Sequence, residues 1–184
     1  IRIGDYSVEA KDGGKYTDIS HLNKDQRVAL ECYLASIQSL FLGSSSGPGG
    51  YAIIWNKPLF ALNILPYNNI RRATRNSVAI PKALEKDGKI ISAAEIFSEG
   101  IYRFHYDSEY QEKAIQPLQN KPNEVFEDFL MFYEVYVEKN KEASVHETFS
   151  KINKKYKELV RDDAGDFYAQ SQIGAHFMRE MKIL

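Results

Sequence analysis

The sequence predicts an α/β fold in which a parallel sheet is flanked by helices. Three observations support this prediction. Short apolar strands alternate with helices in the first part of the chain. The strands are continuous apolar runs, as expected for parallel strands covered on both faces. The length of 184 residues suits one compact domain with a sizeable core.

The first part of the chain contains four predicted strands and two predicted helices. Asn23 and Gln26 form a loose version of a capping box that begins a helix over residues 24–38. This helix has little polar face, so we expect it to be well buried against a sheet. The other predicted elements are strands at 1–4, 16–20, 39–43 and 59–63 and a helix at 51–55.

The second part of the chain is predicted to be mostly helical. Residues 64–77 are polar and favour a long ordered loop, and residues 81–89 are interpreted as a short basic connector. Ser92 and Glu95 form a capping box that begins a helix closed by Gly100. An amphipathic helix is predicted to begin at Asn123 and to end near Lys139. Charged helical segments then follow at 144–163 and 166–181.

Composition limits the classes of partner. Lys and Arg total 24 against 25 Asp and Glu, so the net charge of -1 provides no global attraction for nucleic acid, and any polyanion site must be local. The single cysteine, Cys32, forms no intrachain disulfide and favours a reducing, cytoplasmic location. The four histidines lack metal-ligand spacing, so neither a metal nor another cofactor is expected.

The sequence predicts neither a membrane span nor a signal peptide. No apolar run approaches the roughly 20 residues that a membrane span needs. The chain begins Ile1-Arg2-Ile3-Gly4, without a starting methionine or a signal-peptide pattern. This beginning is typical of a buried strand, and we therefore expect the chain to be a piece of a longer protein.

The loop between the strand at 39–43 and the helix at 51–55 is a candidate anion site. Glycines allow close approach of the backbone, and the first amides of a helix are unpaired and carry partial positive charge. The residues predicted to bind a diphosphate here are Ser44, Ser45, Ser46, Gly47, Gly49 and Gly50. A tight turn, in which glycine serves only backbone geometry and serine caps the helix, is an equally weighted alternative.

A second group of candidate residues follows the next strand. Arg71, Arg72 and Arg75 lie within five positions, and guanidinium groups pair bidentately with phosphate. The alternative is a solvated loop whose arginines pair with surface acids. His21 lies at a strand end beside a helix start, where a structural role is favoured over contact with a base or phosphate.

With these residues in view, the sequence resembles the C-terminal half of bacterial GT-B-type glycosyltransferases encoded in surface-carbohydrate gene clusters. The most specific stretch is Phe-Leu-Gly-Ser-Ser-Ser-Gly at 41–47. A more distant likeness is to the heptosyltransferases, from which the chain departs where Gly49-Gly50 replaces Met-His. The other similar segments are 1–5, 16–20, 57–59, 63, 80–82, 87–88, 95–96 and 172–177.

The resemblance implies the domain organisation and the activity. Residues 1–115 would form a Rossmann-like domain that binds a nucleotide-sugar, and 116–184 a helical extension packing on it. The acceptor, a glycan or a lipid-linked glycan, would bind to a missing N-terminal half, which would also hold the catalytic base, so no catalytic residue is assigned. By this resemblance the nucleotide or sugar contacts would be His21, Asn63, Tyr67, Asn68, Arg71, Arg72 and Arg75. The arginines would stabilise the departing diphosphate in place of a metal. Peripheral membrane association would belong to the full-length protein.

Two further functions stay open. An epimerase of nucleotide-sugars shares this two-lobed architecture and would release nucleotide without an acceptor. A non-catalytic scaffold with the same fold would not bind nucleotide. In that case the aromatic, amphipathic C-terminal helices would be the face that contacts a partner protein.

Overall fold

The computed structural model describes residues 19, 21–44, 47, 49–67, 69, 77–138, 151, 153–154, 157–158 and 174. Three parallel strands form the main sheet: β1 (Phe41–Gly43), β2 (Leu59–Ile64) and β3 (Ser77–Pro81), in the order β1-β2-β3. Phe41 lies opposite Leu59, which in turn lies opposite Ser77. Helix α2 (Gly49–Ile54) connects β1 to β2. This β1–α2–β2 unit confirms the predicted parallel α/β arrangement.

Helices cover both faces of this sheet. The Phe60 ring of β2 lies 5.4 Å from Phe129 and 5.3 Å from Phe132 of α5 (Pro122–Phe132), measured between ring centroids. On β1, the ring of Phe41 lies beneath Gly43 and close to Gly49 of α2. Because Phe41 and Leu59 are register partners and side chains alternate along a strand, α2 and α5 pack on opposite faces.

β3 was missing from the prediction. Its residues, Ser77–Pro81, lie between the segments interpreted as a loop and as a basic connector, and every one of them is buried. A five-residue run with both faces covered shows no alternation of polar and apolar residues, and the polar sequence on its amino side concealed it.

The basic connector predicted at 81–89 is wrong, because the chain forms a β-hairpin there. β4 (Leu84–Lys86) pairs with β5 (Lys89–Ile90) across Asp87 and Gly88, whose φ angles are 51° and 72°. Positive φ at both central positions is the geometry of a type I′ turn, and Asp-Gly is its strongest sequence signal. Leu84 anchors the hairpin in the core, while its lysines are exposed.

The hairpin belongs to a second, antiparallel sheet of three strands in the order β5-β4-β6. β6 (Gln116–Pro117) pairs with β4, so the sheet crosses the domain boundary predicted after residue 115. The elements between β5 and β6 are α3 (Ala93–Ser98), a 3₁₀ turn (Ile101–Arg103) and α4 (Asp107–Glu112). Of these elements the sequence predicted only α3.

Both predicted capping boxes are confirmed. Asn23 Oδ1 accepts a hydrogen bond from the backbone N–H of Gln26 at 3.0 Å, and Gln26 Oε1 accepts one from the backbone N–H of Asn23 at 3.2 Å. Ser92 and Glu95 make the corresponding pair at the start of α3. Beyond α3, Gly100 adopts φ 74°, as its predicted role in closing the helix requires.

The predicted burial of the first helix is wrong, although its extent is correct. In α1 (Lys24–Ile37) Ala35 is buried, whereas Tyr33 and Ile37 are 59% and 58% exposed. The described partner of α1 is the six-residue helix α2 rather than a sheet. A partner of that length covers a narrow stripe of a fourteen-residue helix, so apolar side chains outside the stripe contact solvent.

The last long helix begins at Pro122, one residue before the predicted start. Its α-helical part ends at Phe132, and the chain continues as a π-helical turn over Tyr133–Val137, where the Glu138 N–H donates to Tyr133 O at 3.0 Å. The predicted strands at 1–4 and 16–20 and the segments 144–163 and 166–181 lie largely outside the described residues. Within them, Lys151, Asn153, Lys154, Lys157 and Glu158 are helical.

Candidate ligand site at the carboxyl edge of the parallel sheet

β1 ends beside the carboxyl half of β2, which continues three residues further, to Ile64. Gly43, the last residue of β1, is the register partner of Ala61 in β2, and both strands run in the same direction. The glycine- and serine-rich loop therefore leaves the same edge of the sheet as the segment that follows β2. In open parallel sheets this carboxyl edge is where ligands bind.

The described part of the loop is compact. Gly50 donates its N–H to Gly47 O at 2.9 Å, which closes a turn immediately before α2. Gly49 is buried, and a β-carbon on it would lie 3.8 Å from Ser44 O and 3.9 Å from Phe41 Cε1. The start of α2 thus packs closely on the end of β1. Ser44 is exposed, whereas Ser45 and Ser46 lie outside the described residues.

The fold itself does not require glycine at every position of this loop. A β-carbon on Gly47 or Gly50 would meet no described atom within 4 Å, and neither residue has a left-handed φ. Gly43 differs, because a β-carbon there would lie 2.7 Å from Phe41 Cε1. A purely geometric role therefore accounts for Gly43 but not for Gly47 or Gly50.

Asn63 is held by a contact that the sequence did not reveal. Its φ is 53°, at an irregularity in the pairing of β2 with β3. Its Oδ1 accepts from the backbone N–H of Asn120 at 3.4 Å and from Asn120 Nδ2 at 3.2 Å. Asn120 Nδ2 also lies 3.5 Å from Ile80 O. The Asn63 side-chain oxygen is thus engaged in joining β2 to the segment before α5.

Tyr67 has a packing role. Its side chain is 2% exposed, and its hydroxyl donates to Lys82 O at 2.6 Å. Tyr67 was expected to contact the nucleotide or sugar. Instead, its aromatic ring packs in the core, and its hydroxyl joins the segment after β2 to the end of β3. Sequence position alone does not distinguish a buried tyrosine from one that faces a ligand.

The described contact between α1 and α2 lies away from His21. His21 is exposed in the turn before α1. The two helices meet where the Tyr51 hydroxyl approaches the Cys32 side chain. A hydrogen bond with Cys32 and the charge of Cys32 raise the pKa of Tyr51, and burial and Glu31 raise it further by smaller amounts. Cys32 is about 12 Å along the helix axis from Lys24, at 1.5 Å per residue. The described contact between α1 and α2 therefore does not bring His21 to the loop.

Asn68, Arg71, Arg72 and Arg75 lie outside the described residues.

Comparisons with protein-family models, with curated proteins and with solved structures find no match. Within the described part of the chain, no cluster of three or more His, Cys, Asp or Glu side chains is arranged to hold a metal ion. No helix in that same part combines the length and apolarity that crossing a bilayer demands.

Proposed function

We propose that this chain binds the diphosphate of a nucleotide-sugar at the carboxyl edge of β1 and β2, as the donor-binding part of a glycosyltransferase. The proposal rests on the positions of Gly47 and Gly50. Among the described residues, nothing fills the space that a side chain at either position would need, and neither residue has a left-handed φ, so the described packing and backbone conformation leave these glycines unexplained. A remaining reason for glycine at these two positions is that it lets an anion approach the backbone closely.

The chemistry of the surrounding sequence suits a diphosphate. Ser44 supplies an exposed hydroxyl beside the loop. Arg71, Arg72 and Arg75 follow β2, the strand that pairs with the end of β1, and guanidinium groups bind phosphate oxygens in pairs. Glycosyl transfer forms a bond from the acceptor oxygen to the sugar carbon and breaks the bond from that carbon to the diphosphate. The arginines would stabilise the charge on the departing diphosphate, and a base outside this chain would take the acceptor proton.

Calorimetric titration of the 184-residue chain with UDP, GDP, CDP and ADP tests the proposal. We expect one of these diphosphates to bind saturably, and Gly50→Ala to weaken its binding about tenfold or more. Arg72→Ala should weaken binding by about tenfold, as expected for a charge-assisted phosphate contact. Arg103→Ala is the matched control, because Arg103 is an exposed arginine of the 3₁₀ turn, which is not part of the proposed site.

Two results would contradict the proposal. One is the absence of binding to a chain whose circular dichroism and thermal unfolding show that it is folded. The other is binding that Gly50→Ala and Arg103→Ala affect equally. The first result, together with capture of a defined protein partner on the C-terminal helices, would favour the scaffold function.

A further inference from the structure

A separate cleft lies beside the antiparallel sheet. It has a volume of about 400 Å³ and is formed by the β4–β5 hairpin, α3, the 3₁₀ turn and the chain between α4 and β6. Volumes of roughly 300–1,000 Å³ are typical of sites for small molecules. Its apolar lining comprises Ile90, Ile91, Ile101, Phe104 and Ile115.

Three lysines surround this apolar lining. Lys86 and Lys89 are register partners across the hairpin, and Lys113 contributes from the chain after α4. Like charges directly opposite one another destabilise a strand pair, so folding stability does not favour this placement. Within the described part of the chain, the side-chain ammonium groups of the three lysines form no salt bridge or hydrogen bond.

Within the described part of the chain, the acidic residues of the cleft form no ion pair with these lysines. Glu95 is committed to the cap of α3, where its Oε2 accepts from Ser92 N at 2.8 Å and from Ser92 Oγ at 2.6 Å. Asp87 occupies the hairpin turn and Glu99 follows the end of α3, and both are exposed. Three carboxylates thus accompany the three lysines in the cleft lining, and one of them, Glu95, is held at the start of α3.

The hairpin also presents backbone groups on this side. Ile91 donates its N–H to Leu84 O at 2.8 Å, so Ile91 is a hydrogen-bonded position of the ladder. Hydrogen-bonded and non-hydrogen-bonded positions alternate along an antiparallel strand, so the N–H and C=O of Ile90 point away from β4. β5 is an edge strand of the described sheet, and Ile90 lines the cleft.

We propose that this cleft binds a small amphipathic anion. An apolar body of the ligand would rest on Ile101, Phe104 and Ile115, and a carboxylate or phosphate head would lie among Lys86, Lys89 and Lys113. This combination uses both the apolar lining and the unpaired cations. The proposal does not depend on nucleotide binding at the parallel sheet, because the two sites are built from different elements.

Titration of the isotopically labelled 184-residue chain, followed by amide and methyl NMR shifts, tests the proposal. The probes are octanoate and octyl phosphate, kept below their micelle-forming concentrations. The controls are 1-octanol, which lacks the charge, and inorganic phosphate, which lacks the apolar body. We expect both probes to shift the resonances of Ile90, Ile101 and Ile115, and each control to bind at least about tenfold more weakly. The stronger of the two probes identifies the head group.

Variants of exposed lysines distinguish binding in this cleft from nonspecific binding to positive charge. Lys86→Gln and Lys113→Gln should each weaken the better probe about threefold to fivefold, as expected for partly screened charge pairs, and the double variant more. Lys24→Gln, at the exposed start of α1, is the matched control and should leave binding unchanged. Equal binding of 1-octanol, shifts confined to other residues, no binding, or equal effects of all three lysines would each overturn the proposal.

Discussion

Asn63 accepts hydrogen bonds from both the backbone and the side chain of Asn120, which lies 57 residues further along the chain. Asn63 ends the regular pairing of β2, and Asn120 lies two residues before α5. The candidate edge of the parallel sheet is therefore joined directly to the segment that begins α5. Phe129 and Phe132 of α5 then pack on Phe60, in the middle of the same strand.

This relationship predicts different costs for two substitutions of Asn63. Asn63→Ala removes the hydrogen bonds and leaves a residue with a β-carbon at φ 53°, so we expect a loss of about 2 kcal/mol in the free energy of unfolding. Asn63→Gly also removes the hydrogen bonds but adopts that φ freely, so its loss should be about 1 kcal/mol smaller. Urea unfolding measures both values.

Asn120→Ala completes the test of Asn63. If the two asparagines act as a pair, the double variant Asn63→Ala/Asn120→Ala should lose less than the sum of the single losses. Additive losses would show that the two side chains contribute independently. Equal losses for Asn63→Ala and Asn63→Gly would show that the left-handed φ has no energetic consequence.

Tyr67 and Tyr110 are buried tyrosines whose hydroxyls differ in their partners. The Tyr67 hydroxyl donates to Lys82 O, whereas the Tyr110 hydroxyl makes no hydrogen bond of good geometry among the described residues. Tyr67→Phe should therefore lower the free energy of unfolding by about 1–2 kcal/mol, because Lys82 O loses its donor. Tyr110→Phe should change it by less than about 0.5 kcal/mol or raise it, since it removes a buried polar group. The opposite ranking in urea unfolding would contradict these roles.

Tyr110 also predicts a pH dependence. Burial raises the pKa of Tyr110 above its ordinary 10.0, outweighing the opposing effect of the Tyr67 backbone, and the charges of Glu109 and Asp107 add to the rise. The unfolded chain loses this proton near pH 10 while the folded chain keeps it, so stability falls as pH rises. Between about pH 9 and about pH 11 the wild type should lose roughly 1 kcal/mol more than Tyr110→Phe. Parallel stability curves for the two proteins would contradict this.

Local signals in the sequence were sufficient for some elements and insufficient for others. The capping boxes at Asn23 and Ser92 placed two helices correctly, because a cap is set by residues three positions apart. The βαβ unit was also predicted, since its strands and its loop are contiguous in sequence. β3 was missed because a short, fully buried strand has no period of its own.

Features that depend on distant residues could not be predicted. The exposure of Tyr33 and Ile37 follows from the small size of the partner helix, which the pattern of α1 does not encode. The engagement of Asn63 depends on Asn120, and the burial of Tyr67 depends on Lys82. In each case the sequence identified a polar or apolar side chain, but the fold determined what it contacts.

Gly174 provides a test of how the C-terminal part of the chain joins the sheet. Its N–H donates to Ala79 O of β3 at 3.3 Å. A β-carbon on Gly174 would lie 2.9 Å from Asp128 Cγ and 3.1 Å from Ile80 Cγ1. Asp128 is 1% exposed and has other interactions, so it does not move aside freely. Gly174→Ala should therefore lower the free energy of unfolding by about 1–3 kcal/mol, as overpacking does.

Gly50→Ala is the control for Gly174→Ala, because the same methyl group would meet no described atom within 4 Å there. Gly50 lies in the first turn of α2, where alanine is a better helix former than glycine, so this variant should be unchanged or more stable by up to about 1 kcal/mol. Urea unfolding of the two variants separates a crowded contact from a general effect of replacing glycine. A Gly174→Ala chain as stable as Gly50→Ala would show that residue 174 does not pack against Asp128 in solution. The contact between residue 174 and Asp128 would then contribute little to holding α5 on the parallel sheet.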